Sequence, residues 1–67
     1  QSTARVIGAN LQMADVREAN LRGSVLVRVR FDYADLRGAD FNNADITRMS
    51  LQGAVYDEGA FDNSISV

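Results

Sequence analysis

The chain has no cysteine, no histidine and no lysine. Without cysteine there is no disulfide and no thiolate metal site. Without histidine the usual general base and the commonest metal ligand are both gone. Without lysine no Schiff base can form on a side-chain amine. No apolar run approaches the roughly 18 residues of a membrane span, and no secretory hydrophobic segment is visible. Beyond the carboxylates, only Tyr33 and Tyr56 have even weak acid–base capacity. These absences argue against an enzyme, and no cofactor or metal is expected. They also sharpen a problem of stability. A chain of 67 residues makes one domain at most. A domain this small buries only about 60% of its unfolded surface, and many such chains add disulfides or metals.

Charge is present but unevenly placed. The net charge is −2, and all seven cations are arginine. Residues 1–30 carry five Arg against Asp15 and Glu18, giving +3. Residues 31–48 carry four Asp against Arg37 and Arg48, giving −2. Residues 49–67 carry Asp57, Glu58 and Asp62 with no cation, giving −3, so the three parts sum to −2.

The dominant pattern is a period of five. Counted in blocks from Ala4, the middle position holds Val6, Leu11, Val16, Leu21, Leu26, Phe31, Leu36, Phe41, Ile46, Leu51, Tyr56 and Phe61. All of these are apolar or aromatic. The residue two earlier is small in ten of twelve blocks, with Val29 and Met49 the exceptions. The residue one earlier is Asp or Asn in six of twelve. An α-helix would place successive middle residues about 140° apart, so they would form no stripe. A strand would send them alternately to opposite faces. A chain that turns a corner every five residues points every large and every small apolar residue inward. Asp, Asn and Gly at the other positions suit tight turns, through side-chain to backbone hydrogen bonds or tolerance of positive φ.

Blocks such as Ala19-Asn20-Leu21-Arg22-Gly23, Ala34-Asp35-Leu36-Arg37-Gly38 and Ala39-Asp40-Phe41 resemble the A(D/N)LXX signature of the pentapeptide-repeat family. The resemblance covers residues 4–63, leaving 1–3 and 64–67 as short terminal segments. It implies an all-β fold, a right-handed quadrilateral β-helix with four pentapeptides per coil and about three coils. Residues twenty apart then stack. The inward ladders become Val6–Leu26–Ile46, Leu11–Phe31–Leu51, Val16–Leu36–Tyr56 and Leu21–Phe41–Phe61. Val29 and Met49 share one column, and their size predicts a bulge or a different turn on that side. Gly8, Gly23, Gly38 and Gly53 all end blocks, where corners need unusual backbone angles.

The outward positions differ between sides. The first side presents Ile7, Val25, Val27, Thr47, Ile65 and Val67, with Arg5, Arg28 and Arg48 around them. β-branched residues there suit extended backbone. They equally suit an apolar contact surface rimmed by Arg. Ile7, Val25, Val27, Arg28, Thr47, Arg48 and Ile65 are therefore the candidate interface. The third side carries Asp15, Asp35, Arg17, Arg37 and Asp57, for which an Arg37–Asp57 pair is expected. The early arginines appear scattered over several sides and lack the interleaved aromatics of nucleic-acid binders.

Many members of the resembled family are scaffolds, abundant in cyanobacteria and plastids. The resemblance therefore implies a non-catalytic structural or protein-binding module, part of a larger assembly or a homo-oligomer. The alternative is a DNA mimic inhibiting a nucleic-acid-binding enzyme such as a type II topoisomerase, although such members are longer, more acidic rods. No nucleic acid and no membrane span is expected. The implied location is soluble, cytoplasmic, or thylakoid-associated if the source is a cyanobacterium or plastid.

Overall fold

The computed structural model describes residues 5–66. The backbone forms parallel bridges between residues twenty apart: Arg5 with Val25, Asn10 with Arg30, Asp15 with Asp35 and Asn20 with Asp40. The first of these columns continues from Val25 to Asp45 and on to Ile65. The chain is thus a stack of coils, each with four bridge positions. The first side holds residues 5–8, 24–28, 44–48 and 64–66. The second holds 9–13, 29–33 and 49–53, the third 14–18, 34–38 and 54–58, and the fourth 19–23, 39–43 and 59–63. Extended strands do not develop because only one residue per block bridges before the chain turns again.

From Leu11 to Ala54 each corner is closed by a hydrogen bond from the N–H of one block's first residue to the carbonyl of the preceding middle residue. Ala14 donates to Leu11 at 3.2 Å, and Ala34 to Phe31 and Ala44 to Phe41 at 3.0 Å. The third residue of such a turn needs positive φ. Gly8, Gly23, Gly38 and Gly53 supply it, with φ of 69–75°. Met13, Glu18, Arg28, Tyr33, Asn43 and Arg48 occupy the same position with φ of 59–63°. Those six accept a backbone strain of about 1–2 kcal/mol each, because the coil dictates the corner wherever the residue falls.

Asp or Asn before the middle residue closes the outside of the same turn. The side chains of Asn10, Asp15, Asn20, Asp35, Asp40 and Asp45 each accept the backbone N–H two residues on, at 3.0–3.2 Å. This local bond orients an N–H that the bridges between coils leave over, and it explains why the repeat favours these two residues.

The buried core is Leu26, Val29, Phe31, Ala34, Leu36, Phe41 and Ala44, all at middle or small positions. Phe31 and Phe41 meet edge to face across the second coil, with centroids 6.4 Å apart. Phe41 also stacks on Phe61 at 4.8 Å. Ser24 takes an alanine place with its hydroxyl buried and, among the described residues, unbonded.

Several expectations change. The turns beside the second side do not change type. Val29 and Met49 close them on Leu26 and Ile46 as at the other corners, with Arg28 and Arg48 at the left-handed position. Tyr56 lies in its ladder but is 45% exposed, because no coil covers the third one. The Arg37–Asp57 pair does not form. Arg37 turns back to Asp35 at 2.6 Å, and the Asp57 carboxylate accepts the Gly38 N–H at 2.7 Å. The corner between the third and fourth sides departs from the repeat in the third coil. Glu58 is not the left-handed residue there; Gly59 is, with φ 77°, in a turn from Asp57 to Ala60. Register recovers by Ile65, whose N–H bonds the Ala44 carbonyl at 2.7 Å.

Candidate interaction surface

The first side brings the candidate interface residues together. Gly8 and Arg28 donate their N–H groups to the Val27 and Thr47 carbonyls, so Ile7, Val27 and Thr47 lie in one column. Val25 and Ile65 lie in the neighbouring column, bridged through Asp45. Ile7 and Ile65 are about half exposed, and Val25 and Val27 are half-buried. Arg28 and Arg48 stack along the adjoining corner and are exposed. Val67 lies outside the described residues. The column of Val25 and Ile65 is interrupted by Asp45, whose carboxylate accepts the Thr47 hydroxyl at 2.6 Å. The apolar surface is therefore a strip bordered by polar groups.

The arginines divide into two sets. Arg17, Arg22, Arg30 and Arg37 form ion pairs with Asp15, Asp40, Asp32 and Asp35 at 2.6–3.3 Å. Arg5, Arg28 and Arg48 form none among the described residues, and all three border the first side. The ion-paired arginines thus lie on the other three sides, and those with no ion pair among the described residues border this one.

Sequence reasoning missed Asp32, which faces outward on the second side yet is buried. Its carboxylate accepts from the Ser50 hydroxyl, from the Gln52 backbone N–H at 3.0 Å, and from Gln12 and Arg30 at 3.3 Å. The block at residue 50 has Ser where the repeat favours Asp or Asn. Asp32 supplies the missing acceptor from the coil before, tying all three coils together. The signal was in the sequence as a carboxylate in register between Gln12 and Gln52.

Asp15, Asp32, Asp35, Asp40 and Asp45 are held more acidic than usual by the donors around them. Asp15 is lowered to about 2, chiefly by the Arg17 guanidinium hydrogen bond. Asp32 is lowered mainly by the Ser50 hydroxyl, Asp35 by Arg37, Asp40 by the Asn42 N–H and Asp45 by the Thr47 hydroxyl. Groups with a depressed folded pKa stabilise the fold fully above the unfolded value and lose that contribution as protons return. Thermal stability should therefore be flat near neutrality and fall from about pH 4, the ordinary carboxylate range, down through about pH 2. Asp32→Asn should lower the melting temperature at pH 7 and shrink the acid limb. An unchanged limb in a titration of melting temperature would remove Asp32 from this role.

Among the described residues, no helix is long and apolar enough to cross a membrane. Comparison with solved structures finds a pentapeptide-repeat protein, Rfr23, from the cyanobacterium Cyanothece 51142. It superposes with a TM-score of 0.76 at 25% identity, over 94% of this chain and 40% of the other. The chain thus spans less than half of that protein's length. No curated protein matches in sequence. The family model for pentapeptide repeats matches in eight copies, over residues 4–23, 9–48 and 26–55. With its coil of parallel bridges, its left-handed corners and these matches, the chain belongs to the pentapeptide-repeat family of right-handed β-helices.

Proposed function

We propose that the chain is a non-catalytic structural module that docks to protein through its first side, as part of a larger assembly or oligomer. One observation carries this reading: the carboxylates of the repeat close its own turns and neutralise its own arginines, whereas the first side keeps aliphatic groups and unpaired arginines outward. Aspartates engaged in this way are scaffold, and an apolar strip rimmed by Arg has the make-up of an interface. The charge pattern does not favour DNA mimicry, because Asp15, Asp35 and Asp40 are each offset by a neighbouring Arg.

Lacking its partner, the strip should pair with a second copy at high concentration. Sedimentation equilibrium should give a mass above that of one chain. Val27→Arg should return the single-chain mass while leaving the circular dichroism spectrum unchanged. A wild-type chain that stays monomeric and binds no protein partner through this side would defeat the proposal.

A further inference from the structure

Resting on that reading, we infer that the occupant of the first side is an acidic amphipathic helix of a partner protein, lying along the coil stack. Two features select this chemistry: the sorting of unpaired charge and the spacing of the columns.

The unpaired charges segregate across the stack as well as along it. Arg5, Arg28 and Arg48 border the first side, the last two at its corner with the second. Glu18, Glu58 and Asp62, which form no hydrogen bond or ion pair among the described residues through their side chains, lie on the third and fourth sides, away from that corner. Arg28 and Arg48 are like charges stacked one coil apart, with Gly8 above them in the same column. Backbone strain does not single them out, since every corner in this part of the chain has a left-handed residue. Their lack of a carboxylate partner among the described residues does. The acid on this side, Asp45, lies in the other column and holds the Thr47 hydroxyl and N–H. Opposite charge brought by a partner would complement both arginines at once.

Spacing then favours a helix over a strand. Successive coils are about 4.8 Å apart, so Ile7, Val27 and Thr47 repeat at that interval, as do Arg28 and Arg48. Three helical residues rise about 4.5 Å, so carboxylates three apart on one helix edge meet the two arginines in step. A strand running the same way repeats a face about every 6.6 Å and falls out of register. The column of Ile7, Val27 and Thr47 spans two coil spacings, about 10 Å, which about two turns of helix cover. Aliphatic residues beside those carboxylates would cover Ile7 and Val27.

The test uses the full chain and fluorescein-labelled synthetic peptides, read by anisotropy. The first peptide is an alanine-based helix with pairs of Glu three residues apart on one edge and Leu on the adjacent one. The second replaces each Glu with Lys, and a duplex DNA oligonucleotide serves as the third probe. The diagnostic variant is Arg28→Gly/Arg48→Gly. Glycine relieves the left-handed corners and already stands at Gly8, so this variant should fold and melt at or above the wild-type temperature.

The Glu helix should bind at least about tenfold more tightly than the Lys helix, weaken with added salt and lose most of its binding to the double variant. Equal binding of the two helices, binding untouched by the double variant, or binding of the duplex alone would each overturn the inference. The failures separate cleanly. If Val27→Arg abolishes self-association but the Glu helix shows no preference, the docking surface stands and its acidic occupant falls. A monomeric wild type that binds the Glu helix through Arg28 and Arg48 supports the occupant while removing the pairing of copies.

Discussion

Leu36→Ala should cost about 2–5 kcal/mol, whereas Arg22→Ala should cost no more than about 0.5–1 kcal/mol. Leu36 is fully buried in the middle coil, between half-covered Val16 and exposed Tyr56 in its ladder. Truncation removes its transfer free energy and leaves a hole that the coils cannot close, because hydrogen bonds on both sides fix their spacing. The Leu36 N–H bonds the Val55 carbonyl at 2.7 Å, and the Asp35 N–H bonds the Ala14 carbonyl at 3.0 Å. Arg22 stands outside and loses only an exposed pair with Asp40 at 3.1 Å. Position along the stack amplifies the contrast. Repeat stability is close to a sum of intrinsic and nearest-neighbour terms, and the middle coil contributes to both interfaces. A chain of this size has a total stability of only about 3–10 kcal/mol, so Leu36→Ala approaches the limit of folding. Each kcal/mol shifts the melting temperature by roughly 4–8 °C, which makes thermal melts a sufficient readout. Comparable midpoints for the two variants would show that the inward assignment is wrong.

The period of five made most of the fold readable, because each position in the block answers to one physical demand. The middle residue must be apolar to fill the coil, the residue two before it small to clear the corner. Gly8, Gly23, Gly38 and Gly53 were legible as corners because glycine alone adopts positive φ without penalty. Met13, Glu18 and Tyr33 were not, since nothing local favours the left-handed conformation in those side chains. Their φ is imposed by the neighbouring coils through bonds such as Tyr33 N–H to the Gln52 carbonyl at 2.8 Å.

The corner at Gly59 misled for the opposite reason. Gly59 fitted the small position of its block, yet its freedom of φ let the chain turn one residue late. Asp57 then reached the Gly38 N–H with its side chain, where the repeat would have offered a carbonyl, and so left Arg37 to Asp35.

The candidate surface was legible as a list of side chains but not as an electrostatic object. Seven arginines in a sequence look scattered. Their pairing depends on which carboxylate lies two residues before or one coil away, as Arg17 with Asp15 and Arg22 with Asp40 show. Only the coil geometry reveals that Arg28 and Arg48 are left over, and on the same edge. Asp32 was hidden by the same rule, because its partners Gln12, Ser50 and Gln52 are all in other coils.

Ala34→Leu should be damaging on the scale of Leu36→Ala, although it adds apolar surface instead of removing it. Ala34 is fully buried, and its column reads Ala14, Ala34, Ala54 through the three coils. Its own N–H closes the corner on Phe31 at 3.0 Å, and its carbonyl accepts the Val55 N–H at 3.0 Å. The backbone is therefore held on both sides, and a larger side chain has to enter a core already filled by Phe31, Leu36 and Phe41. Overpacking of this kind commonly costs about 1–3 kcal/mol, more where the backbone cannot shift. The second side shows what relief would require. Its column runs Ala9, Val29, Met49, growing toward the open end, where Met49 is only half-buried. The all-alanine column has no such graded space in its middle coil. Ala54→Leu, in the same column but in the half-covered last coil, should therefore cost clearly less than Ala34→Leu. Chemical denaturation of the two variants decides the matter. Equal costs would mean that the small pocket is no tighter inside the stack than at its end, and a wild-type midpoint for Ala34→Leu would mean that the pocket has room to spare.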